Sequence, residues 1–230
     1  MAVIPTHKPP NRSRLPDQVF GNSEAKWDAI VRQIAKLHVE GRPVLVGTRS
    51  IDKSEYLSEK LNEANVAHLV LNARHTADEN GIIAKAGEEN RVTVATNMAG
   101  RGTDIQPSPK VLNQGGLHVI CTEMHESARI DRQLIGRCGR QGDPGSFQIF
   151  LSLEDDILKE GYGVERYEAL KKKGVGTQGR FDHLARLFRG AQQKIEKNYF
   201  KSRKQMLYVD KQRRKIQVQM GQDPFLESLG

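Results

Sequence analysis

Between about residue 23 and residue 155, short apolar runs alternate with stretches in which apolar residues return every third or fourth position. Ser23 heads a predicted helix over residues 24–39, where Trp27, Ile30, Val31 and Ile34 recur at helical spacing. Gly41 and Pro43 stop that helix, and Val44, Leu45 and Val46 read as a short buried strand. Ser50 caps a second helix with Tyr56, Leu57 and Leu61 on one face. Residues 67–71 read as a strand, and Thr76 caps a short helix through Ile82, Ile83 and Ala86. Strands over 92–96 and 117–122, a helix over 125–134 and a last strand over 147–153 complete the alternation. Several of these strands are almost continuously apolar, as expected where both faces are covered. The pattern predicts an α/β fold, a parallel sheet with helices on both faces, with functional loops at the carboxyl ends of the strands.

Beyond about residue 157 the pattern changes. Lys and Arg dominate residues 164–219, and apolar positions are scattered. Gly174, Gly176 and Gly179 break this stretch once, and residues 181–215 then read as one long helix whose first apolar face carries Phe181, Leu184, Leu187 and Phe188. A polar helix of that length must lie against something else or fray. The organisation expected is an extended leading segment over 1–22, an α/β lobe over 23–156 and a mostly helical appendage over 157–230.

Charge and cysteine content narrow the partners only slightly. The 230 residues carry a formal net charge of +8, which favours an anionic partner without choosing among nucleic acid, acidic lipid and nucleotide phosphate. Cys121 and Cys138 are the two cysteines; neither has metal-site spacing around it, and two reduced thiols are expected. No apolar run approaches the roughly 20 residues that span a bilayer, and residues 1–14 have no apolar core of signal-peptide length. The expectation is a cytoplasmic protein.

Three clusters carry chemistry. The first is Pro43-Val44-Leu45-Val46-Gly47-Thr48-Arg49-Ser50, a strand running into a capped helix. The second is Ala95-Thr96-Asn97-Met98-Ala99-Gly100-Arg101-Gly102-Thr103-Asp104-Ile105, in which Gly100 and Gly102 permit unusual backbone angles or close ligand approach. There Arg101 offers a cation to phosphates, and Asp104 an acceptor to a ribose hydroxyl or a magnesium-bound water. The third runs from Gln133 through Gly136-Arg137-Cys138-Gly139-Arg140 to Gly142. Two arginines three apart share one face of a helix or tight turn, and Gly136 and Gly139 remove bulk beside them. The planar guanidinium matches phosphate oxygens, so Arg137 and Arg140 have the form of an arginine-finger element that stabilises charge on a transferring phosphoryl group. Read singly, the second cluster is also compatible with a structural loop and the third with a basic surface turn.

Together, TNxxxRGxD and QxxGRxGR resemble the last motifs of superfamily-2 helicase-like motors, which implies a RecA-like C-terminal lobe. The longer strings PVLVGTRSIDKSE, VLNA, TVATNMAGRGTDI, TEMHES and GRQGDPGSFQIFLSLEDD are similar to SecA, the motor family of bacterial protein export. The likeness runs from about Val3 to Asp156 and continues weakly through Phe200-Lys201-Ser202-Arg203-Lys204-Gln205, similar to the start of that family's helical scaffold. It implies a second nucleotide-binding domain that regulates ATP hydrolysis, with ATP or ADP and Mg2+ held mainly by a first RecA-like lobe. Arg137 and Arg140 would then point at the γ-phosphate as catalytic residues. Gly100, Arg101, Gly102 and Asp104 would contribute to nucleotide binding, and Gln133 would couple nucleotide state to lobe closure. The partners implied are that first lobe, a SecY-type channel, a preprotein and an anionic membrane surface at the inner face of the plasma membrane; nucleic acid is not expected. The chain departs from the family pattern at Met124, Ala128 and Ile135, where Arg is usual, and at Cys138, where Ser is usual; the strength of coupling near the fingers is what these departures touch.

The sequence contains no GxxxxGK[ST] phosphate loop and no DEAD-like acidic box. Leu153-Glu154-Asp155-Asp156 is acidic, but its position after the fingers reads as a solvated strand end rather than a metal site. The expectation is therefore a fragment, or a chain that works with a partner supplying the first lobe, and no ATP hydrolysis by the chain alone. The alternatives are the second lobe of an RNA or DNA helicase and a non-catalytic module that regulates another ATPase.

Overall fold

The computed structural model describes residues 7–71, 79–96, 103–175 and 179–220. Its centre is a seven-stranded sheet in which every strand pair is parallel. The strands are β1 (Arg12–Arg14), β2 (Gln18–Phe20), β3 (Val44–Thr48), β4 (Leu69–Leu71), β5 (Val92–Thr96), β6 (Leu117–Cys121) and β7 (Gly145–Ser152). They lie in the order β1-β7-β6-β3-β5-β4, and β2 also pairs with β7 further along.

The leading segment is thus part of the sheet. Its two short strands share the free edge of β7, Arg12 opposite Gly145 and Gln18 opposite Phe150. Between them Pro16, which has no N–H to donate, offers its carbonyl to the Gln148 side chain at 2.9 Å. Pattern reading missed β1 and β2 because each is three residues long and β1 is wholly polar.

Alternation along the strands sends side chains to two faces. Val44, Val46, Val92, Val94, Ile120 and Phe150 meet α1 (Ser23–Val39) and α2 (Ile51–Glu63) through Ile30, Ile34, Leu57 and Leu61. Leu45, Ala95, Leu117, Val119, Ile149 and Leu151 belong to the core of the opposite face, with residues of α6 (Asp156–Tyr162), α7 (Val164–Gly174) and α8 (Ala185–Gln219). Both faces are covered, which explains the largely apolar runs of the central strands.

Helix starts differ from the pattern by small steps. Asn22, not Ser23, caps α1, accepting from Ala25 N at 2.8 Å, while the Ser23 amide goes to Glu154. Ser50 caps α2 as expected. The connections α3 (Glu79–Ala84) and α4 (Pro109–Asn113) are short, and Thr76 lies outside the described residues. The helix expected over 125–134 is α5, Ala128–Ile135.

The long helix is divided in its surroundings. Its first half lies on the chain's own sheet, with Phe188, Ala191 and Ile195 buried. The small residues Gly161 of α6 and Ala191 of α8 let the two helices approach until a Cβ at Gly161 would come within 2.6 Å of Ala191 Cβ. Only the later half matches the expectation of a helix without a core: Phe200, Met206, Leu207, Val209 and Ile216 are each at least half exposed. Among the described residues no helix is long and apolar enough to cross a membrane.

The strand-end acids also differ from expectation. Asp155 is buried and paired with the equally buried Lys26 of α1 at 2.6 Å, and it accepts the Ser152 amide at 2.8 Å. Burial raises its pKa, opposed by the Lys26 charge. It is a strut between α1 and the end of β7, not a solvated end.

Candidate nucleotide-facing site

Two of the clusters converge. Thr103 and Asp104 follow β5 in sequence, and residues 136–140 follow α5. Arg137 donates to the Thr103 carbonyl at 2.7 Å, and Arg140 pairs with Asp104 at 2.5 Å. Arg140 Nε also donates to the Gly136 carbonyl at 2.9 Å, which holds its side chain back along its own turn.

The helix ends before the arginines do. Gly136 is the C-cap of α5; Arg137 lies in the turn there, Cys138 and Gly139 in a bend, and Arg140 just beyond it. A Cβ at Gly136 would come within 2.8 Å of the Arg132 carbonyl. Gly139 has φ +60°, a left-handed conformation that glycine adopts readily, and a Cβ there would meet Arg12 Cβ at 3.0 Å. The surface that approaches these glycines is therefore the chain's own: its helix end and β1. Cys138 between the arginines is buried, and burial pushes its thiol up to about 11 against the pull of Arg12.

Electrostatically the two arginines repel, and Asp104, paired with Arg140, offsets part of their charge. Arg137 is half-buried, and its pKa is lowered first by that burial and then by the Arg140 charge, with Asp104 opposing. Arg140 lines a cleft of about 210 Å³ with Asp104, Gln106 and Asp143, and a second of about 530 Å³ with Lys8, Arg12 and Gln141. Planar guanidinium donors of this kind match phosphate oxygens.

Of the residues singled out by sequence, Arg137, Arg140 and Asp104 come together. Gln133 stands exposed on α5, and Gly100, Arg101 and Gly102 lie outside the described residues. Sequence reasoning missed Arg12, whose Nε donates to the Cys138 carbonyl at 2.8 Å, and the Thr103 carbonyl that anchors Arg137. No local signal marks either, because each acts across more than thirty residues of sequence. Among the described residues no group of His, Cys, Asp or Glu is arranged to hold a metal.

A parallel sheet covered on both faces by helices is a RecA-like fold of the helicase type. Solved structures agree on the fold. The yeast DEAD-box splicing factor Prp28 matches 75% of this chain and 35% of its own at a TM-score of 0.52 and 19% identity. The E. coli DEAD-box protein SrmB matches 70% of this chain and 87% of its own at a TM-score of 0.50 and 21% identity. Within that class, the model of the SecA P-loop domain matches residues 9–109 and 106–177. The chain belongs to the SecA family. It is 54% identical over 225 residues to protein translocase subunit SecA 2 of Rhodopirellula baltica, across 98% of this chain and 34% of that protein. It is 50% identical over 210 residues to protein translocase subunit SecA of Caldicellulosiruptor saccharolyticus, across 90% and 25%. The chain thus spans a quarter to a third of the length of these relatives.

Proposed function

We propose that this chain is the C-terminal motor half of a SecA-like, ATP-driven protein translocase. It presents Arg137 and Arg140 to ATP held by a first RecA-like lobe. The observation that carries the reading is the convergence of the two arginines on Thr103 and Asp104, because it joins the two clusters that the chemistry needs at one place. Bound ATP with Mg2+ would supply the transferring phosphoryl group. Arg137 and Arg140 would meet its oxygens with planar donors, while Gly100, Arg101, Gly102 and Asp104 would form the loop beside it. Arg140 uses Nη1 on Asp104 and Nε on the Gly136 carbonyl, and the remaining donors of its five would meet the phosphate. Gln133, exposed on α5, would couple nucleotide state to lobe closure.

The domain reading follows the same division: a leading segment to residue 22, a nucleotide-binding lobe to 156 and a helical scaffold beyond. A SecY-type channel, a preprotein and the anionic inner face of the plasma membrane are the partners proposed for the whole motor. Between residues 200 and 220 seven Lys or Arg face a single acid, Asp210, which suits an anionic surface.

Mixing the chain with a first lobe from the family tests this. The chain alone should not turn over ATP, because nothing in its sequence has the form of a phosphate loop. The mixture should turn over ATP, without stimulation by RNA or DNA. Stimulation by nucleic acid with a steep salt dependence would favour the helicase alternative.

A further inference from the structure

The arginine turn is one end of a short helix whose other end is held by α8. Helix α5 has eight residues, about 12 Å of rise. A helix that short does not hold itself in place. Its single fully buried residue is an acid, Asp131. The seat of α5 therefore depends on polar partners as well as on apolar packing.

Most of those partners come from α8. Gln192 Nε2 donates to Asp131 Oδ2 at 2.6 Å and to the His125 carbonyl at 2.7 Å. Asp131 Oδ1 accepts the His125 amide at 3.0 Å and lies 2.6 Å from His125 Nδ1. One turn along α8, Glu196 Oε1 accepts the Ala128 amide at 2.8 Å and the Ser127 hydroxyl at 3.0 Å. That carboxylate caps the positive end of α5 from another element. Gln192 and Glu196 are four apart and so share a face of α8.

The other end of α5 passes through its Gly136 cap into the turn that carries Arg137. The Gly136 amide bonds to the Arg132 carbonyl at 2.8 Å, and the Arg137 amide to that of Leu134 at 2.9 Å. Between the ends, Leu134 rests on β3 at Gly47, where a Cβ would come within 2.1 Å of it. The helix is gripped at its head, supported at its middle and carries the arginines at its tail.

We propose that Gln192 and Glu196 are positioning residues for the arginine turn, tying the seating of α8 to the placement of Arg137 and Arg140. The inference rests on the reading of those arginines given above. Its use follows from geometry: a misplacement of about 1 Å in a reacting constellation can cost on the order of a hundredfold in rate. Any partner that shifts the exposed half of α8 would act on the fingers through this contact.

Amide exchange on the full chain tests the coupling apart from catalysis. Gln192→Ala and Glu196→Ala should each speed exchange about tenfold at Ala128, Gly136 and Arg137, the order expected from losing a hydrogen bond to a charged group. Strands β3 and β6 should stay within about twofold of wild type. Arg189→Ala, which breaks an exposed contact of the same helix with Asp17, should leave the turn unmoved. Acceleration at Ala128 alone, or an equal response to Arg189→Ala, would overturn the proposal. If an alanine variant loses strand protection and so unfolds, Glu196→Gln is read instead. It keeps an acceptor oxygen and should show the same pattern at smaller amplitude; a normal Ala128 response with a silent Arg137 overturns the proposal there too. In the motor assembled with a first lobe, Gln192→Ala should lower kcat about tenfold with KM for ATP little changed, and Glu196→Gln should recover most of the loss of Glu196→Ala. A moved turn with unchanged kcat would leave the coupling standing and remove the finger reading.

Discussion

Arg12 and Cys138 are 126 residues apart, and the Nε of the first donates to the carbonyl of the second at 2.8 Å. That carbonyl lies in sequence between Arg137 and Arg140, so β1 braces the arginine turn as well as α5. Arg12→Ala should therefore lower stability by about 1.5–3 kcal/mol, the range for a charge-assisted hydrogen bond, in urea unfolding. It should also speed exchange at the residues of the turn. No change in either would make the contact incidental.

The buried pair of Lys26 and Asp155 makes a sharper energetic prediction. Lys26→Met leaves an acid in the core without its counter-charge, and breaking such a pair costs about 3–5 kcal/mol. The double variant Lys26→Met with Asp155→Leu should regain much of that loss, because neither charge is then stranded. Measured stabilities of the two single variants and the double give the coupling directly. Additive losses would mean that the two side chains do not act as a pair.

His118 makes the fold sensitive to acid. It is fully buried on β6, its Nδ1 is 2.7 Å from Ser146 Oγ, and burial with the nearby Arg42 charge lowers its pKa to about 3. In the unfolded chain the ring takes a proton near its ordinary value of 6.5. Protons are therefore bound by the unfolded state first. The stability held above pH 6.5 should fall as the pH drops towards 3, at no more than about 1.4 kcal/mol per pH unit. His118→Gln should flatten that part of the profile, and an unchanged slope would assign the acid sensitivity elsewhere.

The division of α8 predicts the effect of shortening it. Phe188 and Ile195 are buried on the sheet, whereas Leu207, Tyr208 and Val209 are mostly exposed. A chain ended after residue 200 should keep its unfolding midpoint. One ended after residue 184 should lose about 3–6 kcal/mol, the burial of two large apolar side chains. Exchange should likewise be slow in strand β3 and fast through residues 203–219. Uniform protection along α8 would mean that the exposed half finds a partner, such as a second copy.

The sequence makes the central sheet legible because burial on both faces leaves apolar runs: Val44 to Val46 and Val119 to Cys121 are apolar without interruption. It makes Arg137, Arg140 and Asp104 legible because their chemistry is local to short motifs. What it hides depends on long-range pairing. Asp155 reads as a solvated acid because its partner, Lys26, looks like an ordinary surface residue of α1. The start of α5 falls three residues later than its pattern suggests because Asp131 draws the His125 amide out of the helix, and the cap comes from Glu196, 68 residues away. Strand β1 is hidden because Arg-Ser-Arg has no apolar alternation. Gly139 makes room for Arg12 of the same chain, a contact 127 residues away that no local pattern marks.

The most direct measurement of the account is the turnover number of the motor assembled from this chain and a first lobe, across Arg137→Ala, Arg140→Ala and Arg140→Lys. An arginine finger is worth about 10³–10⁵ in rate, so each alanine variant should lose at least about a thousandfold in kcat. Arg140→Lys keeps a cation near Asp104 and should preserve the fold, but it lacks the planar fork and should not restore turnover. Full turnover in Arg140→Lys, or in either alanine variant, would contradict the assignment and leave these arginines as struts of the lobe.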